Sequence, residues 1–158
     1  MFCGTAVGPK SAARGAYYAG PGNRFYQTLN EIGLTPAQLE PEQCWDLARY
    51  GIGLTDLAKK VSALDDGIEK NAWDVGRLSA MIEGYAPKAV AFNGKRAARE
   101  FLGGEVAYGP FYDSIGESAV YVLPSTSGAA RRFWNVKYWH ELAAFVRGKR
   151  YFDWEAPA

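Results

Sequence analysis

Three short segments of the chain have the composition of ligand-binding turns: Gly4-Thr5-Ala6-Val7-Gly8, Phe92-Asn93-Gly94-Lys95 and Pro124-Ser125-Thr126-Ser127-Gly128. Glycine in such turns lets backbone amides approach a ligand, because no Cβ stands in the way. The hydroxyls of Thr5, Ser125, Thr126 and Ser127 can meet a nucleobase edge or a phosphate. A tight strand-to-helix turn would explain each glycine pattern about as well. The first segment lacks the spacing of a dinucleotide fingerprint, and no segment ends in the Lys-Ser/Thr pair of a P-loop. Cys3 and Cys44 form no spaced cluster, so neither a zinc site nor an iron–sulfur cluster is expected.

These segments need a frame that gathers them. Val90-Ala91-Phe92 and Ala119-Val120-Tyr121-Val122-Leu123 are apolar, β-rich runs bounded by turn residues, and both read as buried strands. Met1-Phe2-Cys3 reads as the end of another. Helices are predicted from about Asn23 to Gly33 and from about Asn71 to Gly84, with Asp74 in a capping-box-like position. Two more follow Gly94-Lys95 and span about Asn135–Val146, where Trp139, Leu142, Ala143 and Val146 recur at helical spacing. Strands alternating with helices imply an α/β fold whose parallel sheet is covered on both faces. Ligands of such sheets bind beyond the carboxyl ends of the strands, where the three segments fall. The tail Asp153–Ala158 is expected to fray.

A chain of 158 residues, 48% hydrophobic and 15% aromatic, fits one domain over 1–158. A domain of this length buries roughly 70% of its unfolded surface. No apolar run approaches the ~18–20 residues of a membrane span. The start, Met1-Phe2-Cys3-Gly4, does not read as a signal peptide, and two unclustered cysteines suit a reducing cytoplasm. The net charge of +1 conceals an uneven distribution. Residues 1–30 carry Lys10, Arg14 and Arg24 with no acid, and residues 31–74 carry nine acids against four bases. Residues 125–150 carry Arg131, Arg132, Lys137, Arg147, Lys149 and Arg150 against Glu141. If the first and last segments meet, they form one basic face suited to phosphates; otherwise the charges are solvated singly.

Taken in order, the motifs resemble a family. Phe2-Cys3-Gly4, Tyr18-Ala-Gly-Pro-Gly-Asn-Arg-Phe-Tyr26, Gly51-Ile-Gly-Leu-Thr55, Phe92-Asn-Gly-Lys95 and Val122-Leu-Pro-Ser-Thr-Ser-Gly128 are similar to the uracil-DNA glycosylase superfamily. Within it they look most like the mismatch-specific uracil-DNA glycosylase and thymine-DNA glycosylase branch. Tyr17-Tyr18 and Leu123–Ser127 also resemble the hypoxanthine-DNA glycosylase branch. The resemblance implies a three-layer α/β/α sandwich around a central four-stranded parallel sheet, and a monomer without cofactor. It implies a partner, DNA containing uracil or another deaminated base, met in the cytoplasm at the bacterial nucleoid.

The resemblance also implies roles for residues. Tyr18 stands where the family stacks a flipped base; its alternative is a loop aromatic capping the core. Gly4 and Thr5, with Ser11 and Ser125, would line the base pocket, where fixed donors stabilise a departing anion. Thr5 and Ser11 could equally satisfy their own loop. The stretch Ser125–Arg131 corresponds to the loop that enters the minor groove. Ser127, Gly128 and Ala129 would hold phosphate there, and Arg131 would fill the vacated stack because Ala129 is too small. Lys10, Arg132 and Lys137 would add phosphate contacts.

One departure matters. Ala6 stands where the mismatch-specific branch carries the asparagine that positions water, and Val7 stands where proline is usual. A methyl group cannot orient water. Asn23 is the leading replacement, with an N-cap as its alternative role. Asp56 is the second, with an ion pair to Lys59 or Lys60 as its alternative. His140 reads as structural. The expected function is therefore hydrolytic excision without a lyase step. The competing reading is a lesion- or abasic-site-binding protein with little excision.

Overall fold

The computed structural model describes residues 1–58 and 72–148. The chain runs β1 (Phe2–Gly4), α1 (Pro9–Arg14), α2 (Phe25–Glu31), a 3-10 stretch (Pro41–Tyr50), β2 (Leu54–Asp56) and α3 (Val75–Tyr85). It continues through β3 (Ala89–Asn93), α4 (Lys95–Leu102), β4 (Gly109–Pro110), β5 (Ala119–Leu123), a 3-10 turn (Gly128–Phe133) and α5 (Lys137–Val146).

The sheet has five strands in the order β2-β1-β3-β5-β4. The first four in that order are parallel, and β4 pairs antiparallel with β5. The expected sheet of four parallel strands is thus corrected to a mixed sheet of five. The addition is a two-residue edge strand, Gly109-Pro110, too short and too poor in β-formers to be read as a strand. Its proline has no N–H to offer the ladder, and such residues are tolerated only at sheet edges.

Alternation along the strands builds two cores. Phe2, Ala89, Ala91, Tyr121 and Leu123 face one cluster, filled by Phe25 and Leu29 of α2, Leu47 of the 3-10 stretch, and Trp139 and Leu142 of α5. Cys3, Val90, Phe92, Val120 and Val122 face the other, filled by Leu78 and Ile82 of α3 and Ala97 and Ala98 of α4. Both sheet faces are therefore covered, which is why β3 and β5 read as near-continuous apolar runs. Trp139 anchors the first layer: it stacks on Phe2 at 5.5 Å between centroids, and its Nε1 donates to Pro124 O at 3.0 Å.

The predicted helices form with shifted ends. The helix expected from Asn71 to Gly84 begins at Val75 with Asp74 as its cap, and Asn71 itself lies outside the described residues. So does the tail expected to fray. Helix α1 and the 3-10 stretch were not predicted; both open on proline, Pro9 and Pro41, and close on left-handed glycine, Gly15 and Gly51.

Asp74 accepts from the backbone N–H of Arg77 at 3.0 Å. Replacing it with alanine leaves that donor without its cap. Asp74→Ala should lower stability by about 1 kcal/mol, seen as a lower urea midpoint at constant slope, whereas Asp74→Ser should retain most of it. Equal midpoints for the alanine variant and the parent protein would refute the cap.

Candidate functional site

Because β2, β1, β3 and β5 are parallel, their last residues, Asp56, Gly4, Asn93 and Leu123, lie on one edge of the sheet. The register sets Gly4 beside Asp56 and Asn93 beside Leu123. All three turn segments picked out in the sequence come together here. Pairing between β1 and β2 continues past the strand ends, with Leu57 N donating to Gly4 O at 2.9 Å and Ala58 N to Thr5 O at 2.7 Å. Gly94 has φ +108°, which few other residues adopt, and a Cβ there would touch Ser125 Cβ at 3.4 Å. The turns after β3 and β5 are thus in contact.

Gly4 is the centre of the edge. A Cβ built on it would lie 2.7 Å from Asp56 Oδ1 and 3.3 Å from the Tyr18 hydroxyl. Only a residue without a side chain lets that carboxylate and that phenol converge over the end of β1. Asp56 is 4% exposed, and its backbone carbonyl accepts from the Arg77 guanidinium. The ion pair to Lys59 or Lys60 considered above lies outside the described residues.

Tyr18 occupies the left-handed region, φ 55°, a conformation rare for a residue with a side chain and found preferentially at functional sites. Its ring lies against Phe25, 4.1 Å between centroids. The phenol pKa is held well above its ordinary value, first by burial, then by the Asp56 charge and by Cys3, with the Asn93 side chain acting in the opposite sense. The hydroxyl therefore stays protonated at neutral pH. The residue as a whole is half-buried and borders a cleft of about 310 Å³ that it shares with Arg14, Asn23, Tyr26, Gln27 and Glu40.

The other predicted residues divide. Asn23 Oδ1 accepts from Phe25 N at 3.0 Å, a local turn bond one residue before the N-cap position of α2, which is Arg24 and not Asn23. That leaves its Nδ2 for any role toward a ligand in the cleft. Ser11 is buried and its Oγ accepts from Ala19 N at 2.8 Å, so it braces the loop that carries Tyr18. Thr5 is half-buried at the same edge. Ser125 Oγ accepts from Ser127 N at 3.2 Å, and Ser127 Oγ from Ala129 N at 3.3 Å, which caps the turn Gly128–Phe133.

The first and last basic segments do meet. Arg24 N donates to Thr126 O at 3.0 Å, and the Arg24 guanidinium lies over Trp134 at 4.7 Å. A Cβ on Gly128 would stand 3.1 Å from Pro21 O, and one on Gly22 would stand 2.8 Å from Arg131 Nη2. Lys10, Ala129, Arg131 and Arg132 are exposed. The basic face is smaller than the sequence implies. Arg14 is paired with Glu42, and Lys137 lies 3.9 Å from Glu141. Arg147 packs on Gly33, where it borders a cavity with Ile52 and Lys88 at the opposite edge of the sheet. Lys149 and Arg150 lie outside the described residues.

Sequence reasoning placed Asn93 and Thr126 in ligand-binding turns but missed that they pair with each other. They are 8% and 1% exposed and bonded to each other at the edge. The available signal was a polar residue closing the apolar run Ala89-Val90-Ala91-Phe92-Asn93, at the strand end where ligands bind. Among the described residues, no group of three or more His, Cys, Asp or Glu is placed to hold a metal ion. No described helix is long and apolar enough to cross a membrane.

Gly4→Ala tests the crowding directly. The added methyl must displace Asp56 or Tyr18, and overpacking of this kind costs about 1–3 kcal/mol. The variant should fold, with a lower denaturation midpoint and weakened binding of a base-containing ligand at this edge. Unchanged stability and unchanged binding would show that the close approach has no consequence.

The model of the uracil DNA glycosylase superfamily matches residues 1–145, which takes in every described strand and the whole of this edge. That match supports a DNA glycosylase function in general, with DNA as the partner. The chain belongs to the uracil DNA glycosylase superfamily.

Proposed function

We propose that the protein is a monofunctional glycosylase of base excision repair that flips uracil out of DNA and removes it hydrolytically, with hypoxanthine and xanthine as further deaminated substrates. The reading sets it beside the mismatch-specific branch with features of the hypoxanthine branch. The observation that carries it is the convergence over Gly4 of a buried carboxylate and an aromatic ring, next to a basic loop.

Hydrolysis forms a bond between water oxygen and the sugar C1′ and breaks the bond from C1′ to the base nitrogen. The water proton ends on the departing base. The sugar becomes cationic and the base anionic on the way, so the site must serve both. A protonated Tyr18 offers a ring for the base to lie against, and such stacking is worth about 1–3 kcal/mol per base. That helps offset the few kcal/mol needed to extrude it. Backbone amides at Gly4 and Thr5, with Ser125, line the pocket for the anion, and Ser11 braces the Tyr18 loop beside it. Lys10, Arg132 and the loop at Ser127, Gly128 and Ala129 hold the phosphates, while exposed Arg131 fills the gap in the stack.

Ala6 cannot direct water, and Asn23 Oδ1 is engaged by Phe25 N in the turn before α2. The role of orienting water and favouring the cationic sugar therefore passes to Asp56, whose carboxylate already faces the end of β1. Ala6 also motivates the second reading, a protein that binds lesions or abasic sites with little excision.

Purified protein incubated in chelator with a uracil-containing oligonucleotide should leave alkali-labile sites. Asp56→Asn should reduce single-turnover excision by about 100-fold or more, the scale of losing one electrostatic group. Asn23→Ser, whose hydroxyl can accept the same turn bond, should stay within a few-fold of the parent protein. An intact strand after alkali at high protein concentration would favour the binding-only reading. A large loss in a folded Asn23→Ser variant, with Asp56→Asn active, would return the catalytic role to Asn23.

A further inference from the structure

Asn93 ends β3 as a buried polar residue, and the chemistry proposed above makes no use of it. Its Nδ2 donates to Thr126 Oγ1 at 2.9 Å, and its Oδ1 accepts from Thr126 N at 3.0 Å. One planar amide thus holds both the side chain and the backbone of a single residue, 33 positions away in the chain. An amide suits the task because it presents a donor and an acceptor side by side. Thr126 is 1% exposed, so neither bond competes with solvent.

Thr126 is a junction. Its carbonyl accepts from Arg24 N at 3.0 Å, which ties it to the start of α2 and to the segment that carries Tyr18. Directly after it come Ser127, the cap of the Gly128–Phe133 turn, and the exposed Arg131. The Asn93 amide also opposes, by hydrogen bonding, the rise that burial imposes on the Tyr18 phenol pKa. Through Thr126, the Asn93 side chain therefore holds the root of the loop proposed to meet DNA and, by way of Arg24, the segment that carries Tyr18.

We infer that Asn93 is a positioning residue: it locks the DNA-entering loop to the base pocket through Thr126, so that engagement of a duplex depends on it more than engagement of a single strand. The inference rests on the glycosylase reading for the identity of the ligand. The loop has a stack to fill and a partner strand to hold apart only in a duplex. A single strand presents its base to the pocket without that step. Loosening the brace should leave the pocket in place and cost the duplex selectively.

The test compares the parent protein with Asn93→Ala, Thr126→Val and Thr126→Ser. The probe is an oligonucleotide carrying a non-cleavable tetrahydrofuran abasic analogue, used single-stranded and as a duplex, with binding followed by fluorescence anisotropy. Asn93→Ala and Thr126→Val should weaken duplex binding roughly tenfold, the scale of one or two lost hydrogen bonds. Their single-strand binding should stay within about twofold. Thr126→Ser keeps the hydroxyl and the amide and should match the parent protein on both. Thermal unfolding of each variant confirms the fold, and Thr126→Val carries the test if Asn93→Ala does not fold. Equal losses on the two probes, no loss on either, or absence of binding by the parent protein would overturn the inference. Because binding to this probe requires no excision, a parent protein that binds it but never removes uracil would sink the proposed activity and leave the brace standing.

Discussion

Strand β1 sits between β2 and β3, parallel to both, and this pairing is the constraint on which the site depends. It puts the carboxyl end of β1 at the same height as Asp56 and next to the end of β3. Shifting a strand by one residue would exchange its two faces, sending Phe2 into the cluster now occupied by Cys3 and breaking both cores. The register is therefore fixed by burial, far more strongly than by anything at the edge. The edge inherits that precision. Gly4 can face Asp56 Oδ1 and the Tyr18 hydroxyl at once because the sheet below it has no freedom to slide.

Rigidity in the sheet contrasts with what the loops must do. Tyr18 is held in the left-handed region, and several neighbours keep it there: Phe25 against its ring, Ser11 on the N–H of Ala19, and the turn bond of Asn23 before α2. Strain of this kind persists only where the surroundings over-determine it. The basic surface follows the same logic. Arg24 is fixed over Trp134, whereas Arg131 and Arg132 are exposed on a short turn whose first amides are capped by Ser127. The two cations assigned above to phosphate and to the vacated stack are thus mounted, in this proposal, on an anchored turn. Those at Arg14 and Lys137 have carboxylate neighbours, and Arg147 faces away.

Much of this was legible in the sequence. Strands β3 and β5 announced themselves because burial on both faces leaves an unbroken apolar run, and α5 because Trp139, Leu142 and Ala143 repeat at helical spacing. The edge itself could be placed from the Gly- and Ser-rich turns. Strand β2 escaped notice because Leu54-Thr55-Asp56 is three residues long and ends on a charge, and β4 because Gly-Pro carries no strand preference. The site was half visible. Gly4, Tyr18 and Asp56 were singled out, but their mutual distances follow from the β1–β2 register and not from spacing along the chain. The Asn93–Thr126 pair was invisible for the same reason. The basic face was overcounted, since composition cannot tell a cation at the carboxyl edge of the sheet from one at the opposite edge.

The central claim is that the edge above Gly4 receives the flipped base. Backbone amide shifts in a ¹⁵N–¹H spectrum, followed while free uracil is titrated into the protein, test it most directly. The account predicts that the largest perturbations fall at Gly4, Thr5, Tyr18, Asp56 and Ser125. Perturbations confined to the opposite edge, around Gly33, Ile52 and Lys88, would contradict it.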